Sequence, residues 1–141
     1  MPRISSPPSR PAAVGLRALS DNSAIFVAPQ GLNNGWADAG GEDLTFVDAM
    51  VSLVQNGLGV DTTQLFAMGF SYGGGMSYAI ACARASVFRA VAVYAGSQLS
   101  GRSGGTVPIA HIGLHGLRDP VLNISAGRSL RPDLPPPPIP C

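Results

Sequence analysis

Residues 68–76 read MGFSYGGGM, a serine set between glycines, with an apolar run before it and a helical pattern after it. Gly69-Phe70-Ser71-Tyr72-Gly73 fits G-x-S-x-G. Residues 65–70 suit a buried strand, and Met76, Ala79, Ile80 and Ala83 recur on one helical face. Strand, tight turn and helix is the setting in which this motif presents a nucleophilic serine. Strain in such a turn lifts the hydroxyl above the sheet edge. Small residues at 69 and 73 let the two backbones approach closely. The helix N-terminus directs its positive end at a reacting carbonyl, and the Tyr72 amide is placed to be an oxyanion donor. The competing reading is a glycine-rich turn without chemistry, since five-residue matches arise by chance.

The pattern around the motif alternates. Residues 14–19 suit a short helix, and 24–28 (AIFVA), ended by Pro29, suit a strand buried on both faces. A loop rich in Gly and Asn follows over 29–41. Val47, Met50, Val51, Val54 and Leu58 then recur at helical spacing. Glu42 and Asp43 stand in the first turn, where the dipole favours them, and Gly57 and Gly59 suit the stop. Residues 90–94 (AVAVY) and 109–115 read as two more strands, separated by a Gly- and Ser-rich loop, and 124–130 as a short helix. The fold class is therefore α/β: a parallel sheet of about four strands, joined by right-handed crossovers and flanked by helices on both faces. The boundaries run as a Pro/Ser-rich tail over 1–13, one domain over 14–131 and a Pro-rich tail over 132–141. The second tail, PDLPPPPIPC, favours polyproline II and reads as a solvated end rather than an SH3-type ligand.

Composition narrows the function classes. The chain has 141 residues, of which 45% are hydrophobic and 12% charged, which suits a buried core. A net charge of +1, scattered arginines and no lysine give no footprint for nucleic acid or an anionic membrane. No run is long and apolar enough to span a bilayer, and the N-terminal MPRISSPPSRP does not read as a signal peptide. The two cysteines, Cys82 and Cys141, fit no zinc motif, so no metal or other cofactor is expected. Cys82 reads as a buried core residue and Cys141 as a free terminal thiol.

A serine hydroxyl needs a base, and the usual order in this architecture is Ser, then Asp or Glu, then His. Asp119, in the loop after the last strand, fits the acid; the alternative is a turn-forming Asp before Pro120. No histidine follows it in the sequence. His111 and His115 precede it and share one strand face. A structural role suits both, with His115 able to order the acid loop by a hydrogen bond; His115 as a substitute base is the alternative.

Five segments together resemble a known family: AIFVAPQGLNNGW (24–36), GGEDLTFVD (40–48), MGFSYGGGMSYAIAC (68–82), FRAVAVYAGSQLSG (88–101) and HGLRDPVLNISAGRSL (115–130). They resemble the fungal feruloyl esterases of carbohydrate esterase family one, in the polyhydroxybutyrate-depolymerase-like branch. The resemblance implies a secreted, extracellular serine α/β-hydrolase that releases ferulate from plant cell-wall arabinoxylan, with a feruloylated polysaccharide or small aromatic ester as partner. It implies Ser71 as nucleophile, Asp119 as triad acid, Tyr72 as oxyanion amide and Trp36 at the border of the acyl pocket.

The departures carry expectations too. The family's triad histidine is absent from this sequence. So is the strand between those matching residues 24–28 and 65–70, whose following loop gives the second oxyanion donor. The family has cysteines where this chain has Gly59 and Arg102, which leaves Cys82 without its family partner. Asn123-Ile124-Ser125 is a glycosylation sequon, in keeping with secretion. Weak or absent activity follows for this chain. Two other readings stay open: a non-catalytic binder of polysaccharide or aromatic groups through Trp36 and the tyrosines, and a polyester depolymerase on the same architecture.

Overall fold

The computed structural model describes residues 13–97 and 105–122. They divide into two compact units, one ending at Gly31 and one starting at Leu32. The expected helix over 124–130, the sequon and the tails beyond 13 and 131 lie outside the described residues.

The first unit holds α1, Ala13–Leu19. Asp21 and Asn22 then take left-handed φ values of 47° and 58°, which ends the helix. Residues 24–28 are not a strand, in contrast to the expectation. Ile25, Phe26 and Val27 are 54%, 37% and 52% exposed. An apolar run reports a preference for burial, but a strand also needs a hydrogen-bonded neighbour, and no described segment pairs with this one.

The second unit starts with a 3-10 turn, Leu32–Asn34, and then α2, Glu42–Leu58. The start of α2 is fixed by a reciprocal pair of aspartates. Asp38 Oδ1 accepts the amides of Asp43 and Leu44 at 3.0 and 3.1 Å, and Asp43 Oδ2 accepts the Asp38 amide at 2.9 Å. These bonds satisfy helix-start donors that have no partner inside the helix. Gly59 closes the helix at φ 61°, as its position suggested. Leu44 and Val47 are buried, whereas Leu58 is 57% exposed, so the apolar face ends one turn before the helix does.

The sheet follows: β1 (Phe66–Phe70), α3 (Tyr72–Ala83), β2 (Ala90–Tyr94) and β3 (Ala110–Leu114). The strands are parallel in the order β1-β2-β3, with Phe66, Ala90 and Ala110 in register at one end and Phe70, Tyr94 and Leu114 at the other. The described sheet has three strands rather than four, because residues 24–28 do not join it. Met76, Ala79, Ile80 and Ala81 of α3 form one core with Leu44, Val47, Phe88 and Val91. Cys82 is buried as expected, but it is disulfide-bonded rather than left without a partner by the change at the family's cysteine positions.

Coverage of both sheet faces is not found among the described residues of the second unit. α3 lies on the face of Val91 and Val93, and α2 stacks on α3 instead of crossing to the other side. The opposite face shows Phe66, Met68 and Phe70 of β1, Tyr94 of β2, and Ile112 and Leu114 of β3, each about half exposed or more. These strands carry apolar residues at alternate positions on both sides, the signature of a sheet made to be covered twice.

Candidate active site

Ser71 is the single residue between β1 and α3. Its φ of 54° and ψ of −116° lie outside the regions that L-residues prefer. Such a conformation costs on the order of 1–3 kcal/mol and persists only where its surroundings enforce it. Here the Ser71 amide donates to the Tyr94 carbonyl at 2.9 Å, and the Gly75 amide donates to the Ser71 carbonyl at 3.0 Å. The hydroxyl makes no capping bond to the helix it precedes, unlike an ordinary N-cap serine. Backbone bonds thus fix the residue while its Oγ is not spent on the helix.

The glycines explain how the turn closes. A Cβ at Gly69 would lie 2.0 Å from the Gly73 carbonyl oxygen. A Cβ at Gly73 would meet nothing within 4 Å, so the expected need for a small residue there is corrected. The second tight approach belongs to Gly74 and Gly96: a Cβ on Gly96 would lie 2.7 Å from the Gly74 Cα. Position 69 needs glycine for clearance, position 73 does not, and the α3 start is pinned to the β2 exit one residue later.

Tyr72 begins α3, so its amide belongs to the positive end of a 12-residue helix. Its ring packs on the loop before α2. A Cβ at Gly35 would come within 2.6 Å of Tyr72 Cε1. Asn33 and Asn34 hold φ values of 52° and 58°, and the Gly35 amide donates to the Leu32 carbonyl at 3.0 Å, which gives that loop its shape. Trp36 follows directly, half-buried and packed against the core cluster. The structure therefore joins the loop of Trp36 to the residue after Ser71. Sequence reasoning missed this contact, and a glycine before a tryptophan was its only signal.

Asp119 lies beyond β3, at the same end of the sheet as Ser71. Hydrogen bonds continue the ladder past the strands: Ser71 N–H to Tyr94 O, then Ala95 N–H to Leu114 O at 2.8 Å. With strands about 4.8 Å apart, the backbone of Ser71 and the end of β3 are on the order of 10 Å apart. Asp119 Oδ1 accepts the amides of Val121 at 2.8 Å and Leu122 at 3.0 Å. The Leu122 and Val121 N–H groups, with a smaller contribution from His115, hold this carboxyl below the ordinary aspartate value. Asp119 Oδ2 stands 3.7 Å from His115 Nε2. That nitrogen is 2.6 Å from the Leu122 carbonyl, which can only accept, so Nε2 carries the proton.

His111 points elsewhere. Its ring stacks on Tyr78 of α3, with centroids 5.3 Å apart, and its buried Nε2 has no hydrogen-bond partner. Burial pushes its pKa below the ordinary 6.5. A ring that resists protonation when folded has no effect on stability above about 6.5; stability then falls as pH drops from there toward the folded value. His111→Phe is expected to lose less stability than wild type between about pH 8 and about pH 5, as read from urea midpoints. Equal losses in the two proteins would overturn this.

Away from the elbow, Arg84 and Asp48 form a two-pronged pair at 2.7 Å for each prong, tying α2 to the end of α3. Beside it a hollow of about 350 Å³ is lined by Asp48, Val51, Ser52, Gln55, Thr62, Ser86 and Val87. None of these belongs to the elbow or the acid loop.

Residues 32–99, which include the elbow, match the Prolyl oligopeptidase family, Peptidase_S9. Feruloyl esterase C of Emericella nidulans is 56% identical over 116 residues, covering 82% of this chain and 43% of that protein. Probable feruloyl esterase C of Aspergillus terreus is 57% identical over 113 residues, covering 80% and 42%. Feruloyl esterase D of Neurospora crassa is 53% identical over 112 residues, covering 79% and 39%. The chain thus spans about two fifths of the length of these relatives. At this identity over four fifths of its residues, and with its serine on a strand–turn–helix elbow, the chain is a homologue of the fungal feruloyl esterases C and D with a partial α/β-hydrolase fold.

Proposed function

We propose that this chain carries the nucleophile and acid of a serine carboxylic ester hydrolase of feruloyl esterase type. The observation that supports it most is the strained Ser71, fixed through its backbone with its hydroxyl left out of helix capping. In the reaction, Ser71 Oγ attacks the ester carbonyl and its proton passes to a base. The tetrahedral oxyanion forms beside the Tyr72 amide, and its collapse expels the alcohol, which takes the proton. Water then repeats the sequence on the acyl-serine and releases the acid. Asp119 is the group that would orient and stabilise the base. Trp36, on the loop seated against Tyr72, is proposed to border the acyl group. The substrate class is an aromatic ester of the ferulate kind, from plant cell-wall material, and the setting is extracellular.

The test uses p-nitrophenyl ferulate, whose leaving group departs without protonation. Acylation by it is possible without a good base, while deacylation stays slow, so one feruloyl group is expected to accumulate per chain. Intact-mass and peptide analysis should place it on Ser71, and Ser71→Ala should abolish it. An adduct on other serines, or none on Ser71, would overturn the reading. So would a preference for acylation by a proline p-nitroanilide or a hydroxybutyrate oligomer over the feruloyl ester.

A further inference from the structure

We infer that His115 is the positioning residue of the acid loop, and that it acts through one atom, the proton on Nε2. The inference rests on the reading of Asp119 as the acid. Residues 115–122 close on themselves through four bonds. The Asp119 amide donates to the Gly116 carbonyl at 3.2 Å, which makes the turn. The amides of Val121 and Leu122 hold Asp119 Oδ1. His115 Nε2–H then donates to the Leu122 carbonyl at 2.6 Å. Leu122 is therefore held on two sides, its N–H by Asp119 and its carbonyl by His115. If the last bond is released, the Leu122 amide is no longer anchored and Oδ1 loses a donor.

The division of labour follows from the two carboxylate oxygens. Oδ1 is occupied by backbone, while Oδ2, among the described residues, makes no backbone hydrogen bond and faces the ring at 3.7 Å. Fixing one oxygen sets the direction of the other, which is what an acid needs in order to orient a histidine partner. The same bond takes Nε2 out of the role of base and leaves the lone pair of the neutral ring on Nδ1. A ring whose Nε2–H is donated to a carbonyl presents no lone pair on that nitrogen. His115 is half-buried beside the acid and tethered by a seven-residue closure, the geometry of a clasp.

The test is spectroscopic and independent of turnover. In the isotope-labelled wild-type chain, neutral His115 is expected as the Nε2–H tautomer by ring ¹⁵N shifts. His115→Leu, which keeps bulk and removes the donor, is expected to speed amide exchange at Val121 and Leu122 by about tenfold or more. It should also raise the Asp119 carboxyl titration, followed by ¹³C, toward the ordinary aspartate value. His115→Gln places an amide N–H near the position of Nε2 and is expected to restore both, whereas His115→Asn is too short and should not. An Nδ1–H tautomer would overturn the inference, as would unchanged exchange and titration in His115→Leu. If the leucine variant does not fold, the glutamine and asparagine pair decides: equal behaviour of those two would sink the clasp. Feruloylation of Ser71 in the same samples reports separately on the proposed function, so one reading can fail without the other.

Discussion

Gly69→Ala is expected to lower stability by about 3 kcal/mol or more, while Gly73→Ala, four residues on in the same motif, is expected to be neutral or stabilising. The asymmetry comes from what each added methyl meets. At position 69 it lands 2.0 Å from the Gly73 oxygen, 2.1 Å from the Gly73 carbon and 2.7 Å from the Gly74 nitrogen. All three are backbone atoms, so no rotamer change relieves the clash. Either β1 or the start of α3 must move. β1 is held by its ladder to β2, and Ser71 is bonded to Tyr94 on one side and Gly75 on the other. Overpacking costs about 1–3 kcal/mol where side chains can yield, and here none can. Domains of this size have only about 5–15 kcal/mol in total. A sheet with one apolar face left open by the described residues of its own unit belongs near the lower end. For a unit of about 100 residues the loss corresponds to a melting temperature at least about 12 °C lower by circular dichroism. At position 73 the methyl enters open space, and alanine is the better helix former by up to about 1 kcal/mol. Equal melting temperatures for the two variants would show that the elbow is not closed by Gly69.

The same contrast shows what the sequence could and could not reveal. β2 was legible to the residue, and β1 and β3 to within one at either end, because β-branched and alternating apolar runs between turn residues have few other uses. α2 was legible through its first-turn acids and Gly59. Residues 24–28 failed because apolarity encodes burial and not a partner, and pairing is a property of two segments. At the candidate site the elbow around Ser71 was legible because its motif is local: strand, turn and helix are contiguous. Its clearances were only half legible. The motif names Gly69 and Gly73, but the contact of Gly74 with Gly96 joins residues 22 apart and leaves no local pattern. The hydrogen bond from His115 ends on a backbone carbonyl, which every residue has, so no side-chain identity at 122 could announce it. His111 against Tyr78 is likewise a pairing between strand and helix 33 residues apart.

The second large effect concerns turnover. The 141-residue polypeptide is expected to hydrolyse methyl ferulate at least about 10⁴-fold more slowly than a full-length relative under the same conditions. Ser71 has its backbone environment, but a hydroxyl needs a base to lose its proton during attack. Both histidines of the sequence are placed, and among the described residues neither is hydrogen-bonded to Ser71. His111 lies against Tyr78, with burial holding its pKa down, and His115 donates Nε2–H to Leu122. No other histidine stands in the sequence. Removing the base from a serine triad costs on the order of 10⁴–10⁶-fold, and what remains comes from binding and the oxyanion site. The remainder should therefore be insensitive to the acid: Asp119→Asn and His115→Gln are expected to leave the residual rate within about twofold, because orienting a base has no consequence where none is present. Ferulate release measured by chromatography, with a full-length relative as reference, decides. Robust turnover abolished by Ser71→Ala would overturn the expectation. If His115→Gln abolished it as well, His115 would be the base, acting through Nδ1, whose lone pair the bond to Leu122 does not use. If only Ser71→Ala did so, a proton acceptor other than histidine would be at work beside the elbow.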